Sequence, residues 1–240
     1  MVDQNKADRI YNMNKKLVLF SHHYVDDIVI ERFNNLKNLN PTWDIIPIGF
    51  EGYNLLDGSI ILNNDKFPSN QELVYFAPKY HVNWFEPDLF IYESYYQRPD
   101  YDEYFLYEYD TICNVSIEEF FNTNVDFFGN TICNPGDETW DWVKLYRKHN
   151  LYNTRFKKIY SYGQSTCIYF KKEILKQCVE EVIKNKHFYD NMLSEIRAGT
   201  LVNQFTTLKK GREDINNFIS WTTNDINLNL NQSYFYHPVK

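Results

Sequence analysis

Apolar and polar positions alternate along this chain in a small number of clear blocks. The first is KKLVLFS, Lys15–Ser21, a continuous apolar run after a polar start. Such a run predicts a strand covered on both faces. The polar loop SHHYVDD follows. DDIVIERFNNLKNL then sets Ile28, Ile30, Phe33, Leu36 and Leu39 at helical spacing, up to the stop at Pro41. WDIIPIGF predicts a second strand, and its Pro47 points to an edge or a bulge. ELVYFA, DLFIYES and the aromatic YFLYEYD read as further strands.

In the second half, VSIEEFF opens a short helix with Ser116 and Glu119 as a capping box. VDFFGN and STCIYF read as strands, and ETWDWVKLYRKHN as an aromatic-rich helix. KKEILKQCVEEVIKNK is amphipathic, with Ile174, Leu175, Cys178, Val179, Val182 and Ile183 on its apolar stripe. Residues 188–220 read as mostly helical. The strand–helix–strand order predicts an α/β fold with a mainly parallel sheet. No internal repeat or Gly/Pro/Ser linker breaks the chain, so one domain over 15–240 is expected after a loose tail, 1–14.

Composition narrows the function classes. The 240 residues carry a net charge of −7 and no long basic run, which argues against nucleic acid as the main partner. Aromatics reach 18%, with 20 Tyr and 18 Phe, so the chain is a folding one. No apolar run approaches the roughly 20 residues of a membrane span. The polar N-terminus does not read as a signal peptide. Cys113, Cys133, Cys167 and Cys178 form no CxxC pair and sit in apolar stretches, as reduced buried thiols do. A cytoplasmic location is the expectation.

Four stretches carry candidate chemistry. In EYD, Glu108 and Asp110 stand two apart, which in a strand places them on one face. Two readings are open: a solvated strand end met by a Lys or Arg, or a pair of hard oxygen ligands for Mg2+ or Mn2+. At the C-terminus, Tyr234, Phe235 and Tyr236 can anchor a segment ending in His237, Pro238 and Lys240. His237 is either a surface histidine or an imidazole ligand. In SHHYVDD, the loop after the first strand, His22, His23, Tyr24 and Asp26 can stack on or hydrogen-bond a nucleotide; Asp27 reads as a helix cap. In NPGDETWDW, Asp137, Glu138 and Asp141 lie beside Trp140 and Trp142, a pattern suited to a sugar but equally to a turn and a helix start. No glycine-rich phosphate fingerprint is present.

The order of WFEPDLFIYES, an aromatic strand ending in EYD, and a terminal HPVK resembles the GT-A glycosyltransferases, most closely the compact glycosyltransferase domains of large algal viruses and their bacterial relatives. The similarity runs from about Lys15 to Lys240, with EYD at the place of that family's D-x-D motif. The resemblance implies a single GT-A domain using Mn2+ or Mg2+, a nucleotide-sugar donor such as a UDP-sugar, and a carbohydrate or other hydroxyl acceptor. If viral, the enzyme would work in the host cytoplasm. Asp110, Glu108 and His237 would hold the metal. His22, His23, Tyr24, Glu108, Tyr109, Gln164 and Lys240 would face the donor. The resemblance leaves the catalytic base among Asp137, Glu138, Asp141 and Asp225. A metal-dependent nucleotidyltransferase or phosphohydrolase, and a carbohydrate-binding module without turnover, are the competing readings.

Overall fold

The computed structural model describes residues 14–62, 65–68, 87–120, 125–133, 141–149, 161–204, 219–220 and 235–236. Strand β1 (Lys16–Ser21) leads to helix α1 (Asp27–Leu39), β2 (Asp44–Phe50) and β3 (Ile60–Leu62). Helix α2 (Pro87–Gln97) returns the chain to β4 (Glu103–Glu108), followed by β5 (Ile112–Cys113), α3 (Ile117–Phe120) and β6 (Phe127–Cys133). Then come α4 (Asp141–His149), β7 (Ser161–Lys171), α5 (Lys172–Lys184), α6 (Ser194–Val202), β8 (Ile219–Ser220) and β9 (Phe235–Tyr236).

The main sheet has the order β3-β2-β1-β4-β7-β6. Its first four strands are parallel, and β7 runs antiparallel to both β4 and β6. The expected α/β fold with a mainly parallel sheet is therefore present. From β1 the chain winds outward to β2 and β3, then crosses back to lay β4 on the other side of β1. The sheet thus has a switch point between β1 and β4, where the connections leave in opposite directions and a crevice opens at the strand C-termini.

Alternation along β1 explains how both faces are covered. Val18 and Phe20 join Val29 and Leu36 of α1 in one core; Leu17 and Leu19 join residues of α2, α5 and α6 in the other. Helix α1 buries Val29 and Leu36, with Phe33 partly buried, which is the i, i+4, i+7 stripe of one helix face. Ile28 and Ile30, counted on that stripe from the sequence, are 52% and 40% exposed. On α5 the expected stripe holds at Leu175, Cys178, Val179 and Val182, while Ile183 is exposed.

Two expectations fail for physical reasons. DLFIYES is not a strand but the body of α2, where every residue from Pro87 to Ser94 is buried. An apolar run buried on all sides has no periodicity to separate strand from helix. Pro87 and Asp88 at its start are the better guide, since Pro suits the first helical position and an acid the first turn. Pro47, in turn, lies in an inner strand. The Ile48 carbonyl accepts from the His22 N–H, so it faces β1, and the neighbouring Pro47 faces the β3 side. There β3 begins to pair only at Ile48, so the missing N–H leaves no partner unmet.

Smaller corrections follow. The α1 cap is Asp26, whose Oδ1 accepts from the Val29 N–H at 2.8 Å, and Asp27 sits in the first turn. Ser116 does cap α3, accepting from the Glu119 N–H at 3.1 Å. YGQST lies inside β7, not in a strand–helix loop. Within 188–204, helix is confined to α6 after a 3-10 turn over Lys186–Phe188. ELVYFA lies outside the described residues.

Candidate functional site

The crevice at the β1/β4 switch point gathers the residues with chemistry. Ser21 and Glu108 are register partners at the ends of the two strands, and the Tyr109 N–H donates to the Ser21 carbonyl at 2.9 Å. Beyond them, the β1 loop and the EYD segment face each other. The His23 ring lies 4.8 Å from Tyr24 and 4.9 Å from Tyr109, and Tyr24 lies 5.1 Å from Tyr109, all edge-to-face. Tyr53, from the loop after β2, adds a fourth ring 6.5 Å from His23. Edge-to-face packing leaves ring faces available to a flat ligand. Tyr24 and Tyr53 remain 37% and 38% exposed, so the cluster opens to solvent.

Glycine shapes this rim. A Cβ on Gly49, near the end of β2, would stand 2.8 Å from the His22 carbonyl. Only a bare backbone lets β2 approach the start of the β1 loop so closely. Gly52, at φ +87, then turns the chain toward Tyr53.

His22 and His23 part company. His22 is buried, its Nε2 accepts from the Leu56 N–H at 2.9 Å, and its Nδ1 lies 3.4 Å from the Phe20 carbonyl. Burial pushes its imidazole below the usual value, which keeps the ring neutral. Both ring nitrogens of His22 are thus engaged inside the fold.

The carboxylate pair is arranged differently from the sequence expectation. Strand β4 ends at Glu108, and Tyr109 and Asp110 form a turn closed by the Thr111 N–H on the Glu108 carbonyl at 3.0 Å. Strand alternation therefore does not relate Glu108 to Asp110; a turn does. Both are half-buried. Arg32, from α1, donates through Nη1 to the carbonyl of Tyr109 at 3.0 Å. A fixed cation thus sits against the residue between the two carboxylates. Burial, followed by the charge of Asp110, drives the Tyr109 phenol well above its ordinary value, so it stays a neutral donor.

Helix α2 begins near the same edge of the sheet. Phe90 in the first half of α2 packs 5.1 Å from Phe50, the last residue of β2, so α2 starts at this edge of the sheet. Asp88 in its first turn takes two bonds from Arg197 of α6, Nε to Oδ2 at 2.7 Å and Nη2 to Oδ1 at 2.6 Å. Both side chains are fully buried. Burial pushes the Asp88 carboxyl upward, and the two-point guanidinium contact opposes it. Arg197 also donates to the Met192 carbonyl at 2.9 Å, which ties the chain before α6 to the start of α2. Glu195, in the first turn of α6, is 7% exposed, and its Oε2 accepts from the Ser194 hydroxyl at 2.8 Å. Burial raises its carboxyl to about 7, with the charges of Asp88 and Glu108 adding to the effect.

Of the other expected residues, Asp141 is exposed and pairs with Lys144 at 2.9 Å on its own helix. Gln164 lies on the part of β7 that runs past β4, beyond the last pair Tyr107↔Cys167. Asp137, Glu138, Asp225, His237 and Lys240 lie outside the described residues. Strand β9 stops one residue short of His237, with Tyr236 paired to Ile112, two residues after Asp110. Among the described residues no group of three His, Cys, Asp or Glu is placed to hold a metal ion. Among them, too, no helix is long and apolar enough to cross a membrane.

Tyr53, Asp88, Glu195 and Arg197 went unremarked in the sequence. Asp88 and Arg197 are 109 residues apart, and no local pattern links them. A signal did exist in MLSEIRAG, where two charges interrupt an otherwise apolar and small-residue stretch.

No protein-family model matches the chain, and no curated protein matches it. Among solved structures, an active-site mutant of LgtC, a glycosyltransferase, superposes with a TM-score of 0.37 at 10% identity. The overlap covers 81% of this chain and 71% of that one. So loose a likeness carries neither activity nor substrate across.

Proposed function

We propose that this protein is a divalent-cation-dependent glycosyltransferase that moves a sugar from a nucleoside-diphosphate sugar, UDP-sugars first, to a hydroxyl of a glycan or other acceptor. The observation that carries the reading is the meeting of an open aromatic cluster and an acidic turn at the β1/β4 switch point. His23, Tyr24, Tyr53 and Tyr109 form one side, and Glu108 and Asp110 the other. A nucleoside diphosphate has the matching parts, a flat base to stack and a charged diphosphate about one ribose away. Ligands of open α/β sheets enter at such a point.

Two half-buried carboxylates on a turn fit Mg2+ or Mn2+, which take one or two protein carboxylates and complete their shell with phosphate and water oxygens. Asp110 and Glu108 would hold the ion. His237 is the further candidate, since β9 brings the chain to within one residue of it beside β5. When bound, such an ion supplies positive charge against the diphosphate leaving group. The chain's own contributions are the aromatic seat for the base and the Arg32 charge behind the acidic turn.

A carbohydrate-binding module would use the same rings without turnover. The test is release of free UDP from a panel of UDP-sugars, with and without Mn2+. Mn2+-dependent release supports the transferase; tight sugar binding with no release supports the module.

A further inference from the structure

A cavity between α1 and the chain just past the acidic turn lies outside the switch-point crevice. It measures about 530 Å3, within the roughly 300–1,000 Å3 range of small-ligand pockets. One wall is a face of α1, where Ile28, Arg32, Asn35 and Leu39 recur at i, i+4, i+7 and i+11. The other wall is the stretch from Thr111 to Asn114, and the buried side chains of Leu36 and Tyr107 complete the lining. None of His23, Tyr24, Tyr53, Glu108, Tyr109 and Asp110 takes part in it. The aromatic cluster and the acidic turn therefore do not account for this space.

The lining selects among ligands by its chemistry. Among the described lining residues the charged ones are Glu31 and Arg32, one of each sign, so an ion gains no net charge there. Arg32 also donates to the Tyr109 carbonyl at 3.0 Å. The rest of the polar lining is three amides, Asn35, Asn38 and Asn114, and the Thr111 hydroxyl. Amides and hydroxyls both donate and accept, as the hydroxyls of a sugar do. Leu36, Leu39 and Ile112 offer apolar surface to the C–H face of a sugar ring. A flat nucleobase needs an aromatic slot. Tyr107 is the one ring among the described lining residues; it is 3% exposed, and its hydroxyl donates to the Thr111 carbonyl at 3.0 Å.

Thr111 supplies an independent observation. It is fully buried, its N–H closes the turn on the Glu108 carbonyl, and its own carbonyl takes the Tyr107 hydroxyl. Its Oγ1 has no hydrogen-bond partner among the described residues. An unmet buried hydroxyl destabilises the fold, and a valine of the same shape would avoid the loss. The side chain turns about one bond between staggered positions, so the hydroxyl can meet a ligand in the cavity it borders. We propose that this cavity binds a neutral sugar unit, a mono- or disaccharide, whose hydroxyls are read by Thr111, Asn35 and Asn38. The site stands on its own lining and does not rest on the glycosyl-transfer reading.

The test is an amide NMR titration of the full chain with glucose, galactose, mannose, N-acetylglucosamine, maltose and lactose, with inorganic phosphate and adenosine as contrasts. Wild type, Thr111→Val and Asn35→Ala are compared, with melting temperatures alongside. At least one sugar is expected to shift the Thr111 backbone amide and the Asn35 side-chain amide saturably. Thr111→Val should weaken that sugar about fivefold or more while melting at or above the wild-type temperature. A threonine with a purely structural role would not give that combination. Asn35→Ala, at an exposed position, should weaken the sugar with the melting temperature unchanged. No saturable shift with any of the sugars, a response to phosphate or adenosine in their place, or unchanged sugar affinity in both variants would overturn the proposal. Titration with UDP in Mn2+ reads the switch-point crevice separately. UDP binding without sugar binding would sink the cavity site and leave the transferase reading intact, and sugar binding without UDP binding would do the reverse.

Discussion

At the scale of single residues, the two members of the acidic turn are not equivalent. Glu108 ends a strand and its backbone is pinned by the β1 ladder, whereas Asp110 lies in the turn next to the Arg32 contact at Tyr109. On the proposed reading, the shorter Asp110 side chain on the outer residue would be the better anchor for a cation. Asp110→Asn keeps the shape and removes one anionic oxygen ligand. It should abolish Mn2+-dependent UDP release with the melting temperature almost unchanged, and Glu108→Gln should be milder. Equal UDP release by Asp110→Asn and wild type would make the turn structural. Glu195 makes a stability statement as well. Its carboxyl sits near 7 when folded, against an ordinary 4.5. The folded state therefore binds the proton more tightly, and stability falls as pH rises from about 4.5 to 7. Glu195→Gln should match wild type near pH 4.5 and be more stable by about 3 kcal/mol at pH 8. Denaturant midpoints at the two pH values check this. A smaller local effect belongs to Asp26, where Asp26→Ala removes the α1 cap and should cost about 1 kcal/mol in urea unfolding.

At the scale of elements, α6 is tied to α2 through one buried ion pair. The Asp88–Arg197 pair is fully buried and doubly hydrogen-bonded. Removing one partner strands the other's charge, which costs about 3–5 kcal/mol, whereas an apolar pair of similar volume can be tolerated. Arg197→Met should therefore destabilise strongly, and the double change Asp88→Leu with Arg197→Met should recover much of the loss. A double-mutant cycle read by chemical denaturation measures the coupling. The elements also show what a sequence can disclose. α1 and α5 were legible because each is long and carries a helical period, and β1, β2 and β4 because each is a short apolar run of strand length bounded by polar residues. The burial of α2 on every side erased its period, so Pro87 and Asp88 were the remaining signs of a helix. The acidic turn was found as a motif but drawn as a strand, because nothing local says that pairing with β1 stops at Ser21↔Glu108. Glu195 drew no notice because the carboxylates acting on it, Asp88 and Glu108, lie 107 and 87 positions away in the chain.

At the scale of the whole molecule, the sheet order bears on how a chain with a net charge of −7 would seat the anionic donor proposed for it. The Arg32 guanidinium stands behind the acidic turn at the switch point between β1 and β4, and on the proposed reading that turn would need a cation before a diphosphate could approach it. A ligand that binds only the folded state at 100 times its Kd stabilises by about 2.7 kcal/mol, enough to move a melting curve clearly. The most direct test of this account is therefore a calorimetric titration of UDP into the protein, in Mn2+ and then in EDTA. Saturable binding in Mn2+ that disappears in EDTA, and is lost in Asp110→Asn, is the expected result. UDP binding of equal strength in EDTA, or no binding in either, would contradict it.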